Sequence, residues 1–74
     1  MPSKSTKDKI TALPTAIRER LFSYKNLINT TRDAENFQYC MTLKEMCKEY
    51  CAGLRDAGMF SKETANEIVQ YITI

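Results

Sequence analysis

The longest amphipathic stretch of the chain, Thr31–Ala57, reads TRDAENFQYCMTLKEMCKEYCAGLRDA and is followed directly by Gly58. At 3.6 residues per turn, one side of a helix over this stretch collects Cys40, Cys47 and Cys51 together with leucine and tyrosine side chains. This apolar sector covers close to half the circumference, which is wider than a coiled-coil seam. We therefore predict one long amphipathic helix over residues 31–57, around which the remaining chain packs.

Both ends of this helix carry local sequence features. Thr30 followed by Asp33 resembles a capping box, with aspartate in the place of the usual glutamate or glutamine. At the other end, Gly58 can adopt the left-handed conformation, and Met59 would then contact Leu54 as in a Schellman ending.

Two further helices flank the long one. A helix over about residues 14–29 is predicted to begin at Pro14, which suits a first turn. Its apolar stripe, with a preceding turn, comprises Ile10, Leu13, Ile17, Leu21, Tyr24 and Ile28. A third helix over about residues 62–72 is predicted to begin after Ser61, a favourable N-cap. Its apolar positions are Ala65, Ile68, Val69 and Ile72.

The chain of 74 residues has room for one domain. We expect a flexible basic arm over residues 1–9 and a single helical domain over residues 10–74. The predicted helices would be roughly 24, 40 and 17 Å long, so the shortest leaves part of the longest uncovered. The predicted fold is an all-α three-helix domain with a long central helix, completed by homodimerisation.

Composition argues against several classes of function. The chain has no histidine, which removes the usual general base and the commonest metal ligand. We therefore expect no enzyme activity, no cofactor and no bound metal. The apolar runs are too short to span a bilayer, and the N-terminus lacks the apolar core of a signal peptide. Three cysteines are an odd number, which favours a reducing compartment, so we expect a cytoplasmic protein.

The three cysteines are predicted to be small core residues. Their spacings of seven and four residues offer no fourth ligand for zinc within one chain, and i, i+4 spacing suits a disulfide poorly. A redox-sensing thiol and a metal site that bridges a dimer are the two alternatives.

The sequence favours a stoichiometric protein-binding module that acts as a regulator, inhibitor or adaptor of another protein. Phe22 lies off the apolar stripe of its helix, between Arg18 and Lys25 on the same flank. It would be either an interface anchor or a second buried contact. The full set of candidate partner-binding residues is Arg18, Phe22, Lys25, Met41, Met46, Met59 and Phe60. For the methionines, core filling is the alternative.

A nucleic-acid-binding dimer is the second functional hypothesis. Residues 1–25 carry six basic and two acidic side chains, so this third of the chain is the most basic. The candidate contacts are Lys4, Lys7, Lys9, Arg18 and Lys25, with Phe22 as a stacking residue. A thiol redox sensor is a third and weaker hypothesis.

Overall fold

The computed structural model describes residues 5–74, which form four α-helices and, within that range, no strand. The helices are α1 (Thr6–Thr11), α2 (Thr15–Asp33), α3 (Phe37–Asp56) and α4 (Lys62–Thr73). The largest contact joins α2 to α3, α4 packs against both, and α1 lies against α2 and α4. The predicted all-α class is confirmed, with one short helix beyond the three predicted.

The short helix α1 occupies part of the predicted flexible arm. Ser5 accepts a hydrogen bond from the backbone N–H of Asp8 at 3.2 Å and so caps the helix. Ile10 is completely buried, and Leu13 packs against the core beside it, as predicted. Residues 6–9 are therefore helical because burial of Ile10 ties this segment to the bundle. The rest of the predicted arm, residues 1–4 with Lys4, lies outside the described residues.

The boundary between α2 and α3 differs from the prediction. α2 continues beyond residue 29 to Asp33, and within it the Thr31 hydroxyl donates to the carbonyl of Leu27 at 2.8 Å. The predicted capping box at Thr30 and Asp33 is wrong. Asn36 caps α3 instead, and its side chain accepts from the backbone N–H of Tyr39 at 3.4 Å.

The shifted boundary changes the helix lengths. With 19 and 20 residues, α2 and α3 are each about 30 Å long, whereas α4 with 12 residues measures about 18 Å. α3 is thus shorter than predicted and is matched by α2 over its length. The length mismatch behind the dimer hypothesis is smaller, and the homodimer itself stays a prediction.

The turn between α3 and α4 has the predicted local structure. Gly58 has a φ of 82°, its N–H donates to Arg55, and the N–H of Met59 donates to the carbonyl of Leu54 at 2.9 Å. These are the two hydrogen bonds of a Schellman motif. Ser61 then caps α4 by accepting from the N–H of Thr64. The short turn folds α4 back along α3.

The core lies where the apolar stripes of the four helices meet. Its buried members are Ile10, Leu21, Tyr24, Ile28, Cys40, Leu43, Cys47, Cys51, Ile68 and Ile72. The partly buried side chains around it include Ile17, Phe22, Tyr50, Phe60 and Val69.

Candidate functional site

The three cysteines lie on the buried face of α3. All are free thiols, and Cys47 and Cys51 are 0% and 1% exposed. The Cys40 thiol donates to the carbonyl of Ile28 at 3.6 Å, across the α2–α3 contact. They therefore occupy the core positions that the helical spacing predicted.

The reactivity of the Cys47 thiol is lowered by its position. The hydrogen bond to the neighbouring Cys51 thiol, together with burial, raises the pKa of Cys47 far above that of an ordinary cysteine. A thiol reacts through its thiolate, so a raised pKa and low exposure both slow reaction at Cys47. Among residues 5–74, no group of three or more histidine, cysteine, aspartate or glutamate side chains is placed to hold a metal ion.

The basic side chains of the N-terminal third make contacts between helices. Lys9 on α1 forms an ion pair with Glu67 on α4 at 2.6 Å. Arg18 donates to the carbonyl of Thr11, and Lys25 donates to the carbonyl of Tyr71 at 2.9 Å. The Lys25 ammonium also lies 4.2 Å from the centre of the Tyr71 ring. Three candidate nucleic-acid contacts thus join helices to one another: Lys9 joins α1 to α4, Arg18 joins α2 to α1, and Lys25 joins α2 to α4. Lys7, in contrast, is exposed.

The two phenylalanines proposed as partner anchors pack on the core. Phe22 is half-buried on the flank of α2 that also carries Arg18 and Lys25. Phe60 is half-buried in the turn before α4. For Phe22 this position corresponds to the alternative in which the side chain makes a second buried contact within the domain. The exposed members of the predicted binding set are Met41, Met46 and Met59.

A pair of large apolar side chains stands out on α3. Phe37 is 60% exposed and Met41 is 67% exposed. They are four residues apart, so they lie one above the other on the same face of the helix. We call Phe37 and Met41 the apolar edge.

Two more exposed apolar residues, Tyr39 and Met46, lie on the other side of α3. They are seven residues apart and therefore share a face, which Tyr50 continues by one turn. Arg20 of α2 lies over the Tyr50 ring at 5.3 Å, so this face adjoins α2. We call Tyr39 and Met46 the opposite edge.

A groove between α3 and α4 continues the side of α3 that carries the apolar edge. It has a volume of about 400 Å3. α3 contributes Lys48, Cys51, Ala52 and Arg55, and α4 contributes Ala65, Asn66, Val69 and Gln70. At 100° per residue, Lys48, Ala52 and Arg55 follow Phe37 and Met41 along one strip of α3. The strip from Phe37 to Arg55 is about 27 Å long. We call this concavity the α3–α4 groove.

Charges around the groove are of one sign near its centre. Lys48 pairs with Glu45 at 3.4 Å and Arg55 pairs with Asp56 at 3.3 Å, and all four side chains are substantially exposed. Such exposed pairs contribute little and exchange readily with water. Among the described residues, no aspartate or glutamate lines the groove itself.

Sequence reasoning found Met41 but missed the groove and the exposure of Phe37. Helical spacing puts Phe37 at the margin of the apolar face of α3, and spacing alone does not tell which neighbouring helix covers that margin. Lys48 and Arg55 share a face with Met41 in the sequence, and this was the available indication. The residues of α4 that complete the groove require the tertiary fold.

Comparisons with protein-family models, with curated protein sequences and with solved structures found no match for this chain. No helix within residues 5–74 combines the length and the apolar character needed to cross a membrane.

Proposed function

We propose that the protein is a small, non-enzymatic protein-binding module that acts stoichiometrically as a regulator, inhibitor or adaptor of another protein. The observation that supports this most strongly is the apolar edge, where Phe37 and Met41 expose most of their surface beside an open groove. Aromatic residues and methionine are enriched in the buried centres of protein interfaces.

The size of the apolar edge is sufficient to matter for affinity. Complete burial of a phenylalanine or methionine side chain contributes roughly 1.5–3 kcal/mol relative to exposure. Since about two-thirds of each side chain is exposed, covering both would contribute roughly 2–4 kcal/mol before the costs of association. This is a substantial share of the free energy of a micromolar complex, which is about 8 kcal/mol.

Single exposed apolar residues are common on soluble proteins, so the argument depends on the arrangement. Phe37 and Met41 lie on adjacent turns of one helix, and the groove extends from them along the same strip of α3. An exposed aromatic and methionine pair next to a groove with a polar border is typical of an interaction site.

The predicted homodimer remains a second use of the exposed surface. The opposite edge, with Tyr39 and Met46, offers a separate apolar face that a second copy could cover. Sedimentation velocity of the purified protein measures this directly. A monomer would leave both edges for other proteins, whereas a dimer that survives serine substitution of the apolar edge would use another face.

We also place the protein in the cytoplasm, on the support of its three free, buried cysteines. Reducing compartments keep such thiols unpaired.

The proposed function is tested by affinity capture from a native lysate with paired variants. Phe37→Ser with Met41→Ser removes the apolar edge, and Tyr39→Ser with Met46→Ser removes the opposite edge as a matched control. We expect at least one heterologous protein to be captured in a 1:1 ratio by the wild type and the control, and to be lost with the Phe37/Met41 variant. Capture of only further copies of this chain, with no other protein, would contradict the proposal. Loss with the control pair only would place binding on the opposite edge and contradict the assigned site.

A further inference from the structure

The α3–α4 groove has the composition of a receptor for a helix. Its floor is formed by small or β-branched apolar side chains, namely Ala52, Ala65 and Val69. Small residues at these positions let another helix approach closely, and its side chains can enter the space between α3 and α4. The volume of about 400 Å3 lies within the range of sites that bury apolar ligand groups.

The rim of the groove is basic and polar. Lys48 and Arg55 stand along α3, and Asn66 and Gln70 stand along α4. Lys44 precedes Lys48 by one turn and Lys62 precedes Asn66 by one turn, but Glu45 and Glu63 lie beside them on the same two helices. The excess of positive charge is therefore confined to the lining residues Lys48 and Arg55. Glu45 and Asp56 pair with the two α3 cations but are not among the residues that line the groove. The electrostatic complement of this rim is a partner that carries carboxylates.

We propose that the α3–α4 groove binds one acidic amphipathic α-helix of the partner protein. This inference rests on the proposed function and specifies the chemistry of the partner. Large apolar side chains of the partner helix, spaced i, i+3 or i+4 and i+7, occupy the groove floor and cover Met41 and Phe37. Its aspartates and glutamates border that apolar stripe and meet Lys48 and Arg55.

The length of the strip sets the length of the partner helix. The strip from Phe37 to Arg55 measures about 27 Å, which corresponds to a helix of about 18 residues, or five turns. The apolar edge lies at one end of this length and the two cations lie toward the other. The partner helix is therefore expected to carry apolar residues along its whole stripe, and to carry its carboxylates beside the half that faces Lys48 and Arg55.

Two cations on an apolar floor suit a helix better than a nucleic acid. Binding to a phosphate backbone depends on many cationic contacts, and single-stranded nucleic acids also use exposed aromatic rings for stacking. Among the described residues, the groove itself is lined by two cations, each paired with a carboxylate, and by no aromatic ring. The neighbouring apolar edge adds one exposed ring, that of Phe37.

The test is selection from a display library of amphipathic helical peptides about 18 residues long, with the positions beside the apolar stripe randomised. The bait is the full chain. We expect the selected peptides to be enriched in aspartate and glutamate over lysine and arginine beside the stripe. Amide chemical-shift changes with one selected peptide are expected at Lys48, Ala52, Arg55, Asn66 and Gln70.

Charge reversal provides the second arm of the test. Lys48→Glu with Arg55→Glu is expected to weaken binding of the selected peptide at least tenfold. Lys7→Glu with Ser23→Glu and Asn26→Glu changes the net charge equally at exposed sites of α1 and α2, away from the groove, and is expected to leave binding within about twofold of the wild type. Far-UV circular dichroism checks that both variants are folded. A peptide that carries lysine in place of its acids is expected to prefer the Lys48/Arg55 variant.

Three results obtained with selected peptides would each overturn the inference. They are selected peptides without an acidic bias, chemical-shift changes confined to the opposite edge, and equal binding by the two charge-reversed variants. Selected peptides that bind elsewhere on the protein would exclude the groove as the binding site but would not contradict the proposed function. Selection of no peptide at all would also overturn the helix inference, and capture with the Phe37/Met41 variant would then decide the proposed function separately.

Discussion

Alkylation of Cys47 and Cys51 is expected to be roughly 100- to 3,000-fold slower than alkylation of an exposed thiol. Cys47 and Cys51 are 0% and 1% exposed, so a reagent reaches them only after the bundle opens. A single core in a domain below about 80 residues supplies roughly 3–5 kcal/mol of stability. Since each 1.4 kcal/mol changes an equilibrium constant tenfold, opening of this magnitude gives the stated protection.

The structure also predicts the order in which the thiols react. Cys40 lies in the first turn of α3, next to the exposed apolar edge, whereas Cys47 lies at its middle and Cys51 lies more than one turn before its C-terminal end. Local fraying of a helix end needs less free energy than global opening. We therefore expect Cys40 to react first, with Cys47 and Cys51 reacting together at the rate of global unfolding.

The assay is quenched labelling with iodoacetamide, followed by peptide mass spectrometry, in buffer and in denaturing urea. A Thr42→Cys variant supplies an exposed thiol on the same helix as an internal standard. A Cys47 or Cys51 rate within tenfold of that standard in the native protein would refute the assignment of these residues to the core. Mild oxidation that changes the oligomeric state of the wild type, but not of Cys47→Ser, would favour the thiol-sensor hypothesis instead.

Three further predictions concern the turns and the basic third. Gly58→Ala is expected to lower the free energy of unfolding by about 1–2 kcal/mol in urea denaturation, because Gly58 has a φ of 82°. No neighbouring atom lies within 4 Å of an added Cβ, so the backbone conformation alone sets this cost. An unchanged midpoint would contradict the left-handed Schellman geometry. Glu35→Gly is expected to raise the free energy of unfolding by about 0.5–1 kcal/mol, because Glu35 has a φ of 59°, which glycine adopts without the steric cost of a Cβ. A lower midpoint would contradict the geometry of the α2–α3 turn. Fluorescence anisotropy with duplex DNA at about 50 mM salt is expected to show no binding, because Lys9, Arg18 and Lys25 already donate to protein acceptors; binding that salt weakens steeply would favour the nucleic-acid hypothesis.

Local sequence features predicted much of the fold because their interactions span few residues. Ser61 caps α4, and Gly58 and Met59 form the Schellman turn, as their spacing indicated. The apolar stripes were also predictable, since helical periodicity places Ile28 and Ile68 on buried faces in any packing of these helices.

The α2–α3 boundary was not predictable from the same rules, because two caps compete there. Thr30 and Asn36 are both acceptable N-caps, and Thr31 can either end a helix or donate back to a carbonyl within it. Packing of α2 against α3 favours the longer α2. The exposure of Phe37 and the α3–α4 groove likewise depend on where α4 lies, and that is a tertiary property.

The most direct test of the proposed function is photo-crosslinking in the cell from position 41. Met41→p-benzoylphenylalanine places a photoreactive group on the apolar edge, at a residue that is 67% exposed. The same substitution at Thr42 faces the adjacent, polar side of α3 and serves as the control. We predict a crosslinked product from position 41, and not from position 42, whose mass equals one copy of this chain plus one other protein. A product that contains only two copies of this chain, or no product from position 41, would contradict the account.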